Sequence, residues 1–263
     1  MAGMRSSLLL IILCFLTSSA ISQDISAFEK RTYTSSTGQE LPYRILYPEN
    51  YDKTKKYPLI LFLHGAGERG KDNEKQLTHG SKLFTDSTNR KTYPAIVIFP
   101  QCPEEGYWGN VDVNRSTSPI TLQFDYTKPI TPALQAAIEL LKKMIVNEGV
   151  DKSRVYITGL SMGGMGTFEA VYRYPELFAA AVPICGGADV EAYDKRVSKI
   201  PFRVFHGDQD GVVDVKHSRA IVKKLMVLNA TVVYIEYPEV NHNSWDNAFA
   251  EPDFLSWIFS KKR

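Results

Sequence analysis

Ser161 lies in Gly159-Leu160-Ser161-Met162-Gly163, a G-x-S-x-G pattern. The β-branched and aromatic run Val155 to Thr158 precedes it, and helix-compatible sequence follows to Tyr174, where Pro175 stops it. A strand, a tight glycine-flanked turn and a helix, in that order, put one serine hydroxyl at the sharpest point of the chain. Such a hydroxyl attacks an acyl carbon only when a neighbouring base takes its proton. His242 suits that role, because it lies in a polar loop between a strand and an aromatic helix rather than on a core stripe. An acid that orients the base would complete the set, and Asp208, Asp210 and Asp214 compete for it. Of the other histidines, His64 and His206 each precede a glycine at a strand end and are read as loop braces. His79 and His217 fall in polar stretches.

These residues need a scaffold that gathers strand ends. Phe28 to Thr34 and Leu41 to Tyr47 alternate as an antiparallel pair joined across Ser36-Thr37-Gly38. Tyr57 to Leu63, Ala95 to Phe99, Val155 to Thr158, Ala179 to Ile184, Ile200 to His206 and Thr231 to Tyr237 are short apolar runs, the mark of strands buried on both faces. Helical stretches separate most of them. One is polar, up to about Phe84. Another is capped by Thr131-Pro132, buries Leu134, Ile138, Leu141 and Ile145, and ends at Gly149. A third runs from Asp214 to about Leu228, and a closing helix carries Trp245, Phe249, Leu255 and Ile258. Alternation of this kind predicts an α/β fold, a mostly parallel central sheet with helices on both faces. Ligands of such sheets sit at the carboxyl ends of the strands, which is where Ser161, Asp210 and His242 fall. From Gln101 to about Thr131 there is little periodicity, and a loop of that length in a compact domain is usually functional or disordered. The stretch from Ile184 to Ile200 is too short for a large lid.

Composition narrows the class. The chain has 263 residues, 44% hydrophobic and 23% charged, with a formal charge of +2. Arg5 is the one charged residue of the first 22, so their removal takes +2 to +1. That balance gives no reason to expect a nucleic-acid or anionic-membrane partner. Arg5, the apolar core Leu8 to Leu16 and Ala20-Ile21-Ser22 before Gln23 read as a secretory leader. Residues 1–22 are therefore expected to be cleaved, leaving residues 23–263 as one catalytic domain, periplasmic or extracellular and without a membrane anchor. Cys102 and Cys185 then remain, after strands three steps apart in the expected sheet, and are read as free, buried thiols. No His/Cys cluster has metal-ligand spacing and no phosphate-binding loop is present, so neither metal nor cofactor is expected.

The order Ser, Asp, His along the chain is that of the α/β-hydrolases, and the chain resembles that superfamily. More narrowly it is similar to the compact esterases near dienelactone hydrolase, the prolyl-oligopeptidase catalytic domain, and carbohydrate esterase family one, which holds feruloyl and acetylxylan esterases. Tyr57-Pro-Leu-Ile-Leu-Phe-Leu-His-Gly65, Pro100-Gln-Cys-Pro103 with Trp108, the Ser161 pentapeptide, His206-Gly-Asp-Gln-Asp210 with Val213, and His242 carry the likeness. The resemblance implies Ser161 as nucleophile, His242 as base and Asp210 as acid, since the family's acid lies three residues before a valine. Asp214 is then a helix N-cap. It also implies an oxyanion hole from the amides of Met162 and Ala66, in a turn that reads Gly-Ala-Gly where some relatives have three glycines. Glu68 and Arg69 could brace this turn as a pair or form a solvated salt bridge. Tyr107 and Trp108 are either an aromatic wall for an acyl or sugar group or the anchors of their own loop. The implied activity is a secreted serine esterase acting on feruloyl or acetyl groups of plant cell-wall polysaccharide. A prolyl-oligopeptidase-type peptidase would use the same residues, and a non-catalytic binding protein on this fold would usually have lost one of them.

Overall fold

A computed structural model describes residues 25–263; the leader expected over residues 1–22 lies outside them. The elements in chain order are β1 (Glu29–Thr34), β2 (Glu40–Leu46), β3 (Tyr57–Leu63), α1 (Ser81–Thr85), α2 (Ser87–Thr92), β4 (Ile96–Pro100), β5 (Val111–Asn114), β6 (Thr121–Phe124), α3 (Pro132–Asn147), β7 (Val150–Leu160), α4 (Met162–Arg173), β8 (Ala180–Ile184), β9 (Phe202–Gly207), α5 (Lys216–Val227), β10 (Val232–Tyr237), α6 (Ser244–Ala250) and α7 (Phe254–Phe259). Eight strands form one sheet in the order β1-β2-β4-β3-β7-β8-β9-β10. β1 and β2 are antiparallel to each other, and β2 to β4; from β4 to β10 every neighbouring pair is parallel. This is the α/β-hydrolase architecture, with an open sheet.

The continuous apolar runs divide by strand parity between two cores. Leu59, Leu61 and Leu63 face α3, α4 and α5, together with Ile96 and Ile98. Ile60 and Phe62 face the other side with Val97 and Phe99, under Phe84, Ala248, Phe254 and Ile258. A strand covered on both faces needs no polar residue, which is why these runs do not alternate. Each such side chain contributes roughly 1.5–3 kcal/mol by leaving water. Helix α3 starts as its sequence requires: Thr131 Oγ1 accepts from Leu134 N, and Pro132 occupies the first turn, where no amide is needed.

Three elements differ from the sequence reading. The stretch after Gln101 is not structureless, because β5 and β6 pair as a separate antiparallel hairpin. Four residues per strand is too short for its alternation to stand out, and the hairpin is held from outside itself. Glu169, fully buried on α4, accepts from Asn110 N and Asn110 Nδ2 before β5 and pairs with Arg173. Arg173 in turn donates to Tyr126 O and Lys128 O after β6. The closing helix is two helices, α6 and α7, parted at Pro252. The polar stretch before Phe84 yields only a helical turn at Lys75–Leu77 and α1, with α2 following under an Asp86 cap. Between β8 and β9 lies one short turn, Lys195–Lys199, and no lid. Cys102 and Cys185 are both free and buried. Among the described residues, no helix is long and apolar enough to cross a membrane.

Candidate active site

Ser161 stands between β7 and α4 with φ 53° and ψ −118°, a left-handed region unusual for a residue with a Cβ. The elbow survives because its surroundings determine it. Ser161 N donates to Ile184 O at 2.9 Å, and the two flanking glycines admit backbone where any side chain would collide. A Cβ on Gly163 would lie 1.9 Å from Leu63 O, and one on Gly159 would lie 2.4 Å from Gly163 O. β3, β7 and α4 therefore lock together around the serine.

The loops after β9 and β10 bring the other two residues to it. Ser161 Oγ donates to His242 Nε2 across 2.9 Å, and His242 Nδ1 donates to Asp210 Oδ2 across 2.7 Å. The other oxygen, Oδ1, accepts from Val212 N and Val213 N at 2.9 and 2.8 Å. The aspartate-to-valine spacing thus has a physical reason: the chain turns back to place the valine amide on the carboxylate. Asn241 Oδ1 accepts from both Gly211 N and His242 N, tying the two loops to each other. Burial alone would raise the pKa of Asp210; hydrogen bonds from His206 and His242, the charge of His242 and the Val212 amide reverse this and hold it well below the usual carboxylate range. The rival carboxylates are engaged elsewhere. Asp208 Oδ1 accepts from Glu239 N, and Asp214 pairs with Lys216 and accepts its amide. Asp214 precedes α5 by more than a cap position, since Val215 is the residue at the helix start.

Ala66 and Met162 are the first residues of their helical segments, so their amides have no intrahelical acceptor. Ala66 and Ser161 line one cleft, together with Gly65, Glu68, His79, Tyr107, Ile120, Met165, Val212, His242 and Trp245. His64 braces this turn as expected. It is buried, its Nδ1 donates to Gly65 O at 2.6 Å, and its Nε2 accepts from Cys102 N at 2.9 Å. Burial lowers its pKa to about 4, so the ring is neutral, as those two bonds require. Glu68 and Arg69 do not pair with each other. Glu68 faces His79 at 3.8 Å, whereas Arg69 donates to Ala66 O and Gly106 O.

The aromatic pair of the long loop divides. Tyr107 lines the cleft, with the Arg69 guanidinium 5.9 Å over its ring. Trp108 is not a wall residue: it is 0% exposed, and its Nε1 donates to His64 O at 3.1 Å. A buried indole needs an acceptor for its N–H, and this one finds it beneath the turn that carries Ala66. Trp245, which the sequence reading placed only in a helix stripe, presents its ring edge-on to His242 at 5.3 Å and takes the lining place instead. Its position three residues after the histidine was the available signal. Ile120 of the hairpin also lines the cleft, and its amide donates to Val212 O at 3.0 Å.

Among the described residues, Cys185, Asp210 and His242 bring potential metal-donor atoms within 4.8 Å of one another. Asp210 and His242 are already bonded to each other there, and burial pushes the Cys185 thiol pKa up, away from the thiolate a metal needs. The arrangement can instead move a proton: Ser161 Oγ to His242 Nε2, with a fixed carboxylate behind the ring.

Comparison with known proteins agrees with this chemistry. The phospholipase/carboxylesterase family model matches residues 50–255. The carboxylesterase SOBER1 of Arabidopsis thaliana is 26% identical over 195 residues, 70% of this chain and 82% of the relative. A crystal structure of a thermostable esterase superposes with a TM-score of 0.82 at 37% identity, over 91% of this chain and 64% of that one. A ferulic acid esterase of carbohydrate esterase family one from Anaeromyces mucronatus shares the fold, with a TM-score of 0.63 at 17% identity over 88% of this chain and 91% of that one. The chain belongs to the phospholipase/carboxylesterase family and is a carboxylesterase of the α/β-hydrolase type.

Proposed function

We propose that the protein is a serine esterase in which Ser161, His242 and Asp210 form the catalytic triad. The observation that carries this is the unbroken line from Asp210 Oδ2 through His242 to Ser161 Oγ, with bonds of 2.7 and 2.9 Å. Ser161 Oγ attacks the ester carbonyl carbon as its proton passes to His242 Nε2. The developing oxyanion is received by the amides of Met162 and Ala66, each such donor being worth on the order of 10²–10³ in rate. The imidazolium then protonates the leaving alcohol, and the C–O bond breaks to give an acyl-enzyme. Water repeats the sequence, with His242 again as base, and frees the acid and Ser161.

The substrate read here is an acyl ester of plant cell-wall polysaccharide, feruloyl or acetyl. Three things support it. The cleft opens without a lid, its lining mixes Tyr107 and Trp245 with Ile120 and Met165, and a ferulic acid esterase and an acetylxylan esterase/xylanase of Neocallimastix patriciarum are among the proteins it is similar to. Secretion, argued from residues 1–22, suits a substrate outside the cell. The test compares hydrolysis of methyl ferulate and p-nitrophenyl acetate by wild type and Ser161→Ala. Turnover of both esters, lost with Ser161, is the expected result. Cleavage of the acetate alone would restrict the acyl group to a small one, and an active Ser161→Ala would end the triad assignment.

A further inference from the structure

Asp210 meets a second imidazole that the proposed reaction does not use. His206 closes β9 and is fully buried. Its Nε2 lies 3.1 Å from Asp210 Oδ2 and 2.9 Å from Val213 O, and its Nδ1 lies 2.7 Å from Ser218 Oγ. A nitrogen facing a carboxylate and a carbonyl must carry the proton, because a bare lone pair there would repel both. Nδ1 is then the acceptor of the Ser218 hydroxyl, 2.7 Å away, in preference to Gly186 O, which lies farther from that hydroxyl at 3.3 Å. Asp210 Oδ2 thus receives donors from both His206 and His242, while Oδ1 is occupied by Val212 N and Val213 N.

We infer that His206 is a positioning residue for esterolysis: its Nε2–H fixes Asp210 Oδ2 in line with His242 and draws off part of the carboxylate's charge. The inference rests on the triad reading above. A carboxylate that shares its charge stabilises the imidazolium of His242 less, which makes that imidazolium a readier acid toward the leaving alcohol.

The other ionisable groups around this pair are accounted for. Glu236 lies opposite His206 in the β9–β10 register and is ion-paired with Arg219. His217 on α5 has its pKa lowered, chiefly by burial. The Cys185 thiol has its pKa raised by burial, so it adds no charge.

The test uses His206→Met, which fills similar volume without a donor, and His206→Gln, whose amide can donate in place of Nε2–H. kcat, KM and the pH profile would be read with p-nitrophenyl acetate. In His206→Met the acid limb of kcat/KM should move up by roughly 1–2 pH units, the size expected for a lost hydrogen bond to a charged group. kcat should fall roughly tenfold with KM unchanged, the signature of an interaction used in the transition state, and His206→Gln should restore the limb. An unmoved acid limb in folded His206→Met would reduce His206 to a structural role and overturn the inference. Should His206→Met not fold, ¹⁵N-edited spectra of the wild type decide: a proton on His206 Nε2 upholds it, and one on Nδ1 overturns it. This tautomer readout needs no turnover, whereas an active Ser161→Ala would remove the parent reading and the positioning role together.

Discussion

Replacing Asp210 with asparagine changes one oxygen to an amide, and the geometry dictates which one. Oδ1 accepts two backbone amides, from Val212 and Val213 at 2.9 and 2.8 Å, so the carbonyl oxygen of the asparagine side chain must take that place. The NH₂ group is then forced into the Oδ2 position, facing His242 Nδ1 and His206 Nε2, 2.7 and 3.1 Å away. A donor there obliges His242 Nδ1 to become an acceptor, which moves its proton to Nε2. Nε2 can then no longer take the proton of Ser161. This tautomer lock costs about 10⁴ in kcat where a triad aspartate has been so replaced, close to 5.5 kcal/mol of barrier. Steady-state hydrolysis of p-nitrophenyl acetate should show that loss in kcat with little change in KM. Asp210→Ala, which leaves the ring free to choose its tautomer, should be damaged no more than Asp210→Asn. An Asp210→Asn enzyme within tenfold of wild type, or an Asp208→Asn enzyme damaged more, would refute the reasoning.

Ser161→Gly should abolish turnover yet raise the stability by about 1 kcal/mol, measured by urea unfolding, because it relieves a Cβ held at φ 53°. Gly163→Ala, whose Cβ would sit 1.9 Å from Leu63 O, should fail to give folded protein or lose more than about 3 kcal/mol; a soluble variant of wild-type stability would contradict the close-approach argument. Trp108→Phe should lower kcat more than KM, since the indole holds His64 O beneath the Ala66 turn and does not reach the cleft; a change confined to KM would return Trp108 to the substrate. His64 has a folded pKa lowered to about 4, so the unfolded chain binds its proton first as pH falls below about 6.5. Its contribution is therefore complete above that value and lost toward the folded one. Between pH 7 and 4.5 it should remove about 2–3 kcal/mol of stability, a drop that His64→Gln would largely lack in chemical denaturation.

What could be read from the chain beforehand was whatever depends on local period or on a short spacing. Tyr57 to Leu63 could be called a doubly buried strand because both of its parities are apolar, and the two cores divide along that parity. The family likeness, in which the acid lies three residues before a valine, points to Asp210 over Asp208, and the Val213 amide on Oδ1 is the contact at that spacing. What escaped depended on partners distant in sequence. The β5–β6 hairpin has no period of its own long enough to notice, and its stem is secured by Glu169 and Arg173 on α4. Tyr107 and Trp108 are neighbours with similar chemistry, and partners distant in sequence, the carbonyl of His64 44 residues away and Gly166 against its Cβ among them, receive the second inside. His206, read as a loop brace, does hold the loop after β9, through contacts with Asp210 Oδ2 and Val213 O.

The bond from Ile120 N to Val212 O joins the rim of the cleft to the loop that aims the carboxylate. Ser118 Oγ, donating to Gly211 O, adds a second stitch across the same seam. If Asp210 serves as the proposed acid, selectivity and rate are therefore not independent dials in this enzyme. A graft or length change in the hairpin, made to admit a different ester, reaches the loop of Asp210 through the main-chain carbonyls of Gly211 and Val212. Libraries aimed at new substrates would do best to vary Tyr107, Met165 and Trp245, which line the same space without carrying that seam, and to leave residues 118–120 as they are.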